Sequence, residues 1–377
     1  MAAPRPLGSA TPVAIAHDYL TQRGGAERVV LALQSAFPDA PIHTTVHDAD
    51  GTFSSFSDAT IVTSPLQRFG ALRRDPRLAL PLLAPTTSRM HVDADVTVCS
   101  TTGWAHGVQT SGAKVLYVHN TARWLYQRSE YLAKLPGRAR YTLAPLAPSL
   151  RRWDRRAAAS ADVVLVNSAV TQARVEEHWG REAEVLRPPP GISVQGPRRP
   201  VDGLDPGYLL TVARLLPYKR VDVVLEAMAS LPGSRLVVVG TGPDRDRLEA
   251  LAPPGVTFLG AVDDAQLRWL YAEAEALVTA AHDDFGLTPL EAMQFGTPVV
   301  AVREGGFLET VVEGESGLFF DVPSPDEVRR GIVALRAQQW DRSLIEQRAA
   351  QFSIEAFRSR IQRVVSAVGG RVDEVAA

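Results

Sequence analysis

Residues 187–207 read RPPPGISVQGPRRPVDGLDPG, and nothing regular survives in them. The prolines remove backbone donors and the glycines loosen the chain, so neither a helix nor a strand ladder runs through. On either side lies one pattern stated twice. Upstream, PVAIAH (12–17) predicts a strand and GGAERVVLALQSAF (24–37) a helix, with further strands at DVTVCS (95–100), KVLYVH (114–119) and DVVLVNS (162–168). Downstream, YLLTVA (208–213) is a strand and RVDVVLEAMASL (220–231) a helix; RLVVVG (235–240), VTFLG (256–260), ALVTA (276–280) and PVVAV (298–302) are strands with helices between them. Each strand is apolar on both faces, as parallel strands covered by helices must be. Two doubly wound α/β domains follow. Their expected bounds are 1–190, a linker at 191–207, 208–352, and an amphipathic helix over 353–377 with Ser353 as its cap.

The bulk numbers narrow the class. The 377 residues are 45% hydrophobic and 22% charged, with a formal net charge of −2, so no strong field favours nucleic acid. Lys114, Lys134 and Lys219 are the only lysines; arginine carries the remaining positive charge. A single cysteine, Cys99, excludes an intramolecular disulfide and a cysteine-based zinc cluster. The first twenty residues lack the pattern of a signal peptide, and no apolar run is long enough to span a bilayer, so a cytoplasmic protein is expected.

Ligands of open α/β sheets bind beyond the carboxyl ends of the strands, and four loops there carry glycine or charge. In HDYLTQRGGAERVV, Gly24 and Gly25 precede a helix with Glu27 in its first turn. Such a start can face an anion, and a plain tight turn uses the same residues. In VARLLPYKR, Arg214 and Lys219 are five positions apart, able to fold onto one phosphate or to stand as a solvated pair. In VVVGTGPDRDRLEA, Gly240 and Gly242 suit a nucleotide loop or a simple βα turn; the third glycine of a dinucleotide fingerprint is missing. In HDDFGLTPLEA (282–292), Thr288 and Pro289 are expected to cap and begin a helix, with the N–H groups of Gly286 and Leu287 forming a diphosphate seat. Asp283 and Glu291 flank that seat. A carboxylate repels phosphate, so their task would be to accept hydrogen bonds from hydroxyls, as on a sugar nucleotide. A loop acid and a helix-favouring Glu are the plainer account of the same two residues.

At this point the chain resembles a family. DDFGLTPLEAMQFGTPVVA resembles the acid-x7-acid signature of retaining GT-B glycosyltransferases of family 4. RLLPYKRVDVVLEA, VVVGTGPDRDRLEALA, REGGFLETVVEGESGLFF, HDYLTQRGGAERVV and YVHNTARWLY are similar to that family in order and spacing. The likeness is strongest to bacterial mannosyltransferases of exopolysaccharide and O-antigen synthesis. It implies a GT-B architecture: two Rossmann-like domains facing across a cleft, with the last helix crossing back to the first domain. It implies that Arg214 and Lys219 bind the donor diphosphate and stabilise the leaving charge. It places Glu291 on the ribose, and Asp283 and His119 at the donor hexose. Phe285, Gly286 and Leu287 offer backbone groups there, and Gly24 and Gly25 lie over the phosphate. Arg123 and Trp124 fall in an acceptor loop. Two residues depart from the family: Asp283 replaces the usual Glu, and His119-Asn-Thr replaces His-Thr-Pro.

The expected reaction is hexose transfer with retention from a nucleotide diphosphate sugar, GDP-mannose first, to a glycan, lipid-linked sugar or small-molecule hydroxyl. No metal and no further cofactor is expected. The Asp-x-Asp strings at Asp48–Asp50 and Asp93–Asp95 are read as chance. A UDP-sugar transferase of the same fold, a nucleotide-sugar epimerase and a non-catalytic nucleotide-sugar binding module are the alternatives. SPLQRFGALRRDPRLALPLL (64–83) sets Arg68, Arg73, Arg74 and Arg77 among Leu and Phe, which suits peripheral contact with an anionic membrane or a basic face over a core stripe.

Overall fold

The computed structural model describes residues 12–126 and 146–376. The chain divides into two compact units, one made of residues 1–188 and 354–377, the other of 189–353. The linker stretch is irregular, as its prolines require.

In the first unit, β1 (Val13–His17), β2 (Ile42–Thr44), β3 (Ile61–Thr63), β4 (Val96–Thr101), β5 (Ala113–Val118), β6 (Val163–Val166) and β7 (Glu184–Val185) form a seven-stranded sheet in the order 3-2-1-4-5-6-7. All its pairings are parallel. In the second unit, β8 (Leu209–Val212), β9 (Leu236–Val239), β10 (Val256–Gly260), β11 (Ala276–Thr279), β12 (Val299–Val302) and β13 (Gly317–Phe320) form a six-stranded parallel sheet in the order 10-9-8-11-12-13. Counted within the unit, that is 3-2-1-4-5-6, the Rossmann order. Each sheet therefore reverses its strand order between its first and fourth strands. The crevice for a ligand opens there: between β1 and β4 in one unit, between β8 and β11 in the other.

Burial explains the apolar strands. Every residue of β4, β5, β11 and β12 is buried, so neither face of these strands meets water. Burying each large aliphatic side chain contributes about 1.5–3 kcal/mol. Helix α1 (Gly25–Ala36) and the last helix, α4 (Ile354–Ala376), pack on the first sheet, where Phe357, Ile361, Val365 and Val368 join the core beside Tyr117. The terminal helix thus returns to the first unit. Among the described residues, no helix is long and apolar enough to cross a membrane.

Candidate active site

The two strands at the reversal of the second sheet deliver the charged pair. β8 runs out through Arg214 into a short 3-10 turn, Pro217–Lys219. β11 runs out towards Asp283. The Lys219 ammonium lies 2.5 Å from Asp283 Oδ1, with both side chains less than one-fifth exposed. The family resemblance implies a separate partner on the donor for each; here the carboxylate holds the cation directly. Arg220, next in the chain, is the one non-glycine residue with positive φ (50°) among those described, and it caps α2 (Val221–Met228). Arg214 is exposed.

The helix after Asp283 starts earlier than expected. α3 spans Leu287–Met293, and its cap is Gly286 at φ 86°, not Thr288. A left-handed turn at this place needs glycine. A Cβ there would also sit 2.4 Å from the Phe307 ring. Pro289 then occupies the third helical position, where its missing N–H costs no hydrogen bond. Phe285 and Gly286 are buried, while Leu287 is half-buried. Gly305 and Gly306 close over this loop: Gly306 N–H donates to the Asp283 carbonyl at 2.9 Å, and a Cβ on Gly305 would meet the same carbonyl at 2.3 Å.

Glu291 sits inside α3 and is buried. Its Oε2 accepts from the Tyr271 hydroxyl at 2.6 Å and its Oε1 from the Gly191 N–H at 3.1 Å. The expected ribose ligand thus also ties α3 to the linker. Gly240 and Gly242 follow β9, and their missing side chains let the loop pack against the carbonyls of Ala213 and Leu215. The backbone these glycines approach is the protein's own, as in a simple βα turn.

In the first unit, His119 follows β5 and is buried; its Nε2 lies 2.8 Å from Ser100 Oγ. Gly24 caps α1 in an extended conformation, and Gly25 is the helix's first residue. A Cβ on Gly24 would stand 2.6 Å from Glu27 Oε2, so this glycine makes room for a buried carboxylate. Trp124 departs from the acceptor reading. It is 7% exposed and stacks on Trp104 with ring centroids 4.6 Å apart, which makes it core. Arg123 beside it is half-buried.

Among the described residues, no three His, Cys, Asp or Glu side chains stand together in a way that would hold a metal ion. Sequence reasoning missed Tyr271, Gly191, Ser100 and His17, each joined to its partner across distant strands. Of the site residues named from sequence, the structure joins Lys219 to Asp283; Glu291 and His119 each have other partners.

Residues 198–352 match the family model for glycosyl transferases group 1, and residues 23–195 match that for glycosyltransferase family 4. The first unit is thus similar to glycosyltransferase family 4 and the second to glycosyl transferases group 1. The chain is 39% identical over 141 residues to a glycogen synthase of Thermus thermophilus, covering 35% of this chain and 32% of that protein. It is 28% identical over 314 residues to an alpha-1,3/1,6-mannosyltransferase of Rhizomucor pusillus, covering 67% of this chain and 66% of the other. The chain spans about a third of the length of the first curated relatives it matches. Among solved structures, Anabaena HepE in complex with UDP and glucose superposes with a TM-score of 0.70 at 18% identity, covering 95% of this chain and all of that one. The GT-B fold of this chain accounts for both parallel sheets and for the place of Lys219 and Asp283 at the strand-order reversal.

Proposed function

We propose that this chain is a retaining, metal-independent hexosyltransferase that moves mannose from GDP-mannose to an acceptor hydroxyl of a glycan, a lipid-linked sugar or a small molecule. The observation that carries the reading is the Lys219–Asp283 pair at the carboxyl ends of β8 and β11. An ammonium has three donors and Asp283 a second oxygen, so the pair offers phosphate a cation and a sugar hydroxyl an acceptor. In the reaction, the bond from the hexose anomeric carbon to the β-phosphate oxygen breaks as the bond to the acceptor oxygen forms on the same face. The acceptor proton passes to the departing phosphate, and the nucleoside diphosphate leaves. Lys219 and Arg214 stabilise the charge that develops on that phosphate. Asp283 and His119 hold the hexose and Glu291 the ribose; no residue is a covalent nucleophile.

The mannosyl donor is supported by the Rhizomucor relative, which is a mannosyltransferase. A UDP-hexose donor is the second reading, favoured by the Anabaena structure, which holds UDP and glucose. A panel of sugar nucleotides scored by calorimetry decides between them. GDP-mannose is expected to bind and to be consumed when acceptor is present, with turnover surviving chelation by EDTA. A response to UDP-sugars without one to GDP-mannose overturns the donor assignment, and binding without product overturns catalysis.

The proposal includes peripheral contact with an anionic membrane through residues 64–83. Arg68, Arg73 and Arg74 are exposed, and Phe69, Leu78 and Leu82 are 60%, 63% and 50% exposed beside them; the Arg77 side chain lies outside the described residues. Co-sedimentation with vesicles is expected to rise with anionic lipid and to fall with salt. Binding indifferent to both sinks this part of the proposal and leaves the reaction untouched. The same contact would keep the enzyme on the cytoplasmic face of that membrane.

A further inference from the structure

Parallel register sets a row of polar side chains on one face of the first sheet. His17 pairs with Ser100 across β1 and β4, and Ser100 pairs with Tyr117 across β4 and β5. His119 lies two residues beyond Tyr117, and its N–H donates to the Thr101 carbonyl at 2.9 Å, continuing the ladder. Residues two apart on a strand share a face. Glu27, from the first turn of α1, joins this row from above.

The hydrogens of the row follow from what each atom can do. The Ser100 carbonyl only accepts, and it lies 3.1 Å from His17 Nδ1, so that nitrogen carries a proton. The same N–H lies 3.1 Å from Ser100 Oγ, which accepts a share of it. The Ser100 hydroxyl proton is then free to reach His119 Nε2, 2.8 Å away, and in that arrangement Ser100 donates. His119 Nε2 is therefore an acceptor, and the neutral ring carries its proton on Nδ1.

Glu27 explains why His17 stays in this state. Its carboxylate is 1% exposed, yet Oε1 has only the Gln22 amide at 2.9 Å, and Oε2 is buried with no hydrogen-bond partner among the described residues. A buried carboxylate so poorly solvated is costly without a cation nearby. His17 Nε2 stands 3.8 Å from Oε1, an ion-pair separation. Burial opposes protonation of His17, but Glu27, with Asp18 and the Ser100 carbonyl, raises its pKa above the ordinary value.

We propose that Glu27 and His17 are positioning residues that act through the Ser100 hydroxyl to hold His119 in its Nδ1–H tautomer, with Nε2 locked as an acceptor. The inference rests on the reading of His119 as a residue at the donor hexose. It adds that His119 can meet a sugar hydroxyl as a donor only through Nδ1. Ser100 is the element that transmits the constraint, and the missing side chain of Gly24 leaves room for the Glu27 carboxylate.

Nitrogen-15 NMR of the histidine rings tests it, with His119→Gln to assign the signal. In the full wild-type chain, His119 is expected with Nε2 bare and Nδ1 protonated. Ser100→Ala and His17→Ala are expected to populate the other tautomer and to lower kcat on the order of tenfold, with the donor KM within about twofold. His17→Asn keeps an N–H near the Nδ1 position and is expected to restore the wild-type tautomer. The isosteric Glu27→Gln is expected to lower the fraction of charged His17 in the same spectra. A wild-type His119 carrying its proton on Nε2 overturns the inference. So does an unchanged tautomer in folded Ser100→Ala and His17→Ala. Absence of sugar-nucleotide turnover in the wild type overturns the functional reading instead, while the spectra still decide the relay.

Discussion

Lys219→Ala is expected to lower kcat/KM for the sugar nucleotide by roughly 10²–10³-fold, the cost of removing one preorganised charge from a developing oxyanion. The loss should appear mostly in kcat, because the charge matters most when the phosphate leaves. The side chain is less than one-fifth exposed and its described ion pair is with Asp283, so its removal also strands that carboxylate, and the rate is read on a variant whose melt shows it folded. Lys219→Arg restores the charge but not the geometry, since a planar fork cannot replace a compact ammonium at 2.5 Å from a carboxylate. It should recover only part of the rate. Asp283→Asn leaves the ammonium without its anion and should weaken hexose recognition more than diphosphate binding. Wild-type turnover in Lys219→Ala would remove the pair from the mechanism.

Glu291→Ala is expected to damage two things at once. The family resemblance places Glu291 on the ribose and gives it no structural duty. The structure gives both its oxygens a second duty, on the Tyr271 hydroxyl and the Gly191 N–H. Removing the acceptor strands two donors, one of them a buried hydroxyl, at about 1–3 kcal/mol each. At roughly 2–4 °C per kcal/mol for a domain of this size, the melting temperature should fall by about 4–24 °C. Donor affinity should fall as well, by about tenfold or more for a lost charged hydrogen bond. Glu291→Gln keeps one acceptor oxygen and should lie between. Melting unchanged in the alanine variant would refute the structural duty, and donor affinity unchanged in a folded variant would refute the ribose role.

The long strands were legible because short, mostly apolar runs between turn signals, such as those of β11 and β12, suit parallel strands covered on both faces. Strands β2 and β3 were not: three residues each are too few to show a period, and β3 is half-exposed. At the site, Asp283 and Lys219 could be named from composition and from the family resemblance, but not joined. They are 64 positions apart, and only the adjacency of β8 and β11 brings them together. The same holds for Glu291, whose partners lie 20 and 100 positions away. His17 and Ser100 left no local signal at all, because their relation is one of register. The helix start at Gly286 was misplaced for a local reason: Thr-Pro is a frequent opening, and the Phe307 ring that enforces the glycine turn lies far along the chain.

One consequence of the terminal helix concerns birth order on the ribosome. Residues 189–353 are continuous, so that unit has all its strands as soon as they leave the exit tunnel. The earlier-made unit does not: Phe357, Ile361, Val365 and Val368 of its core are translated after the whole of the second unit. Until then its seven strands wait with one face uncovered beside α1, the kind of exposed apolar surface that chaperones recognise. The half made first is therefore the half finished last.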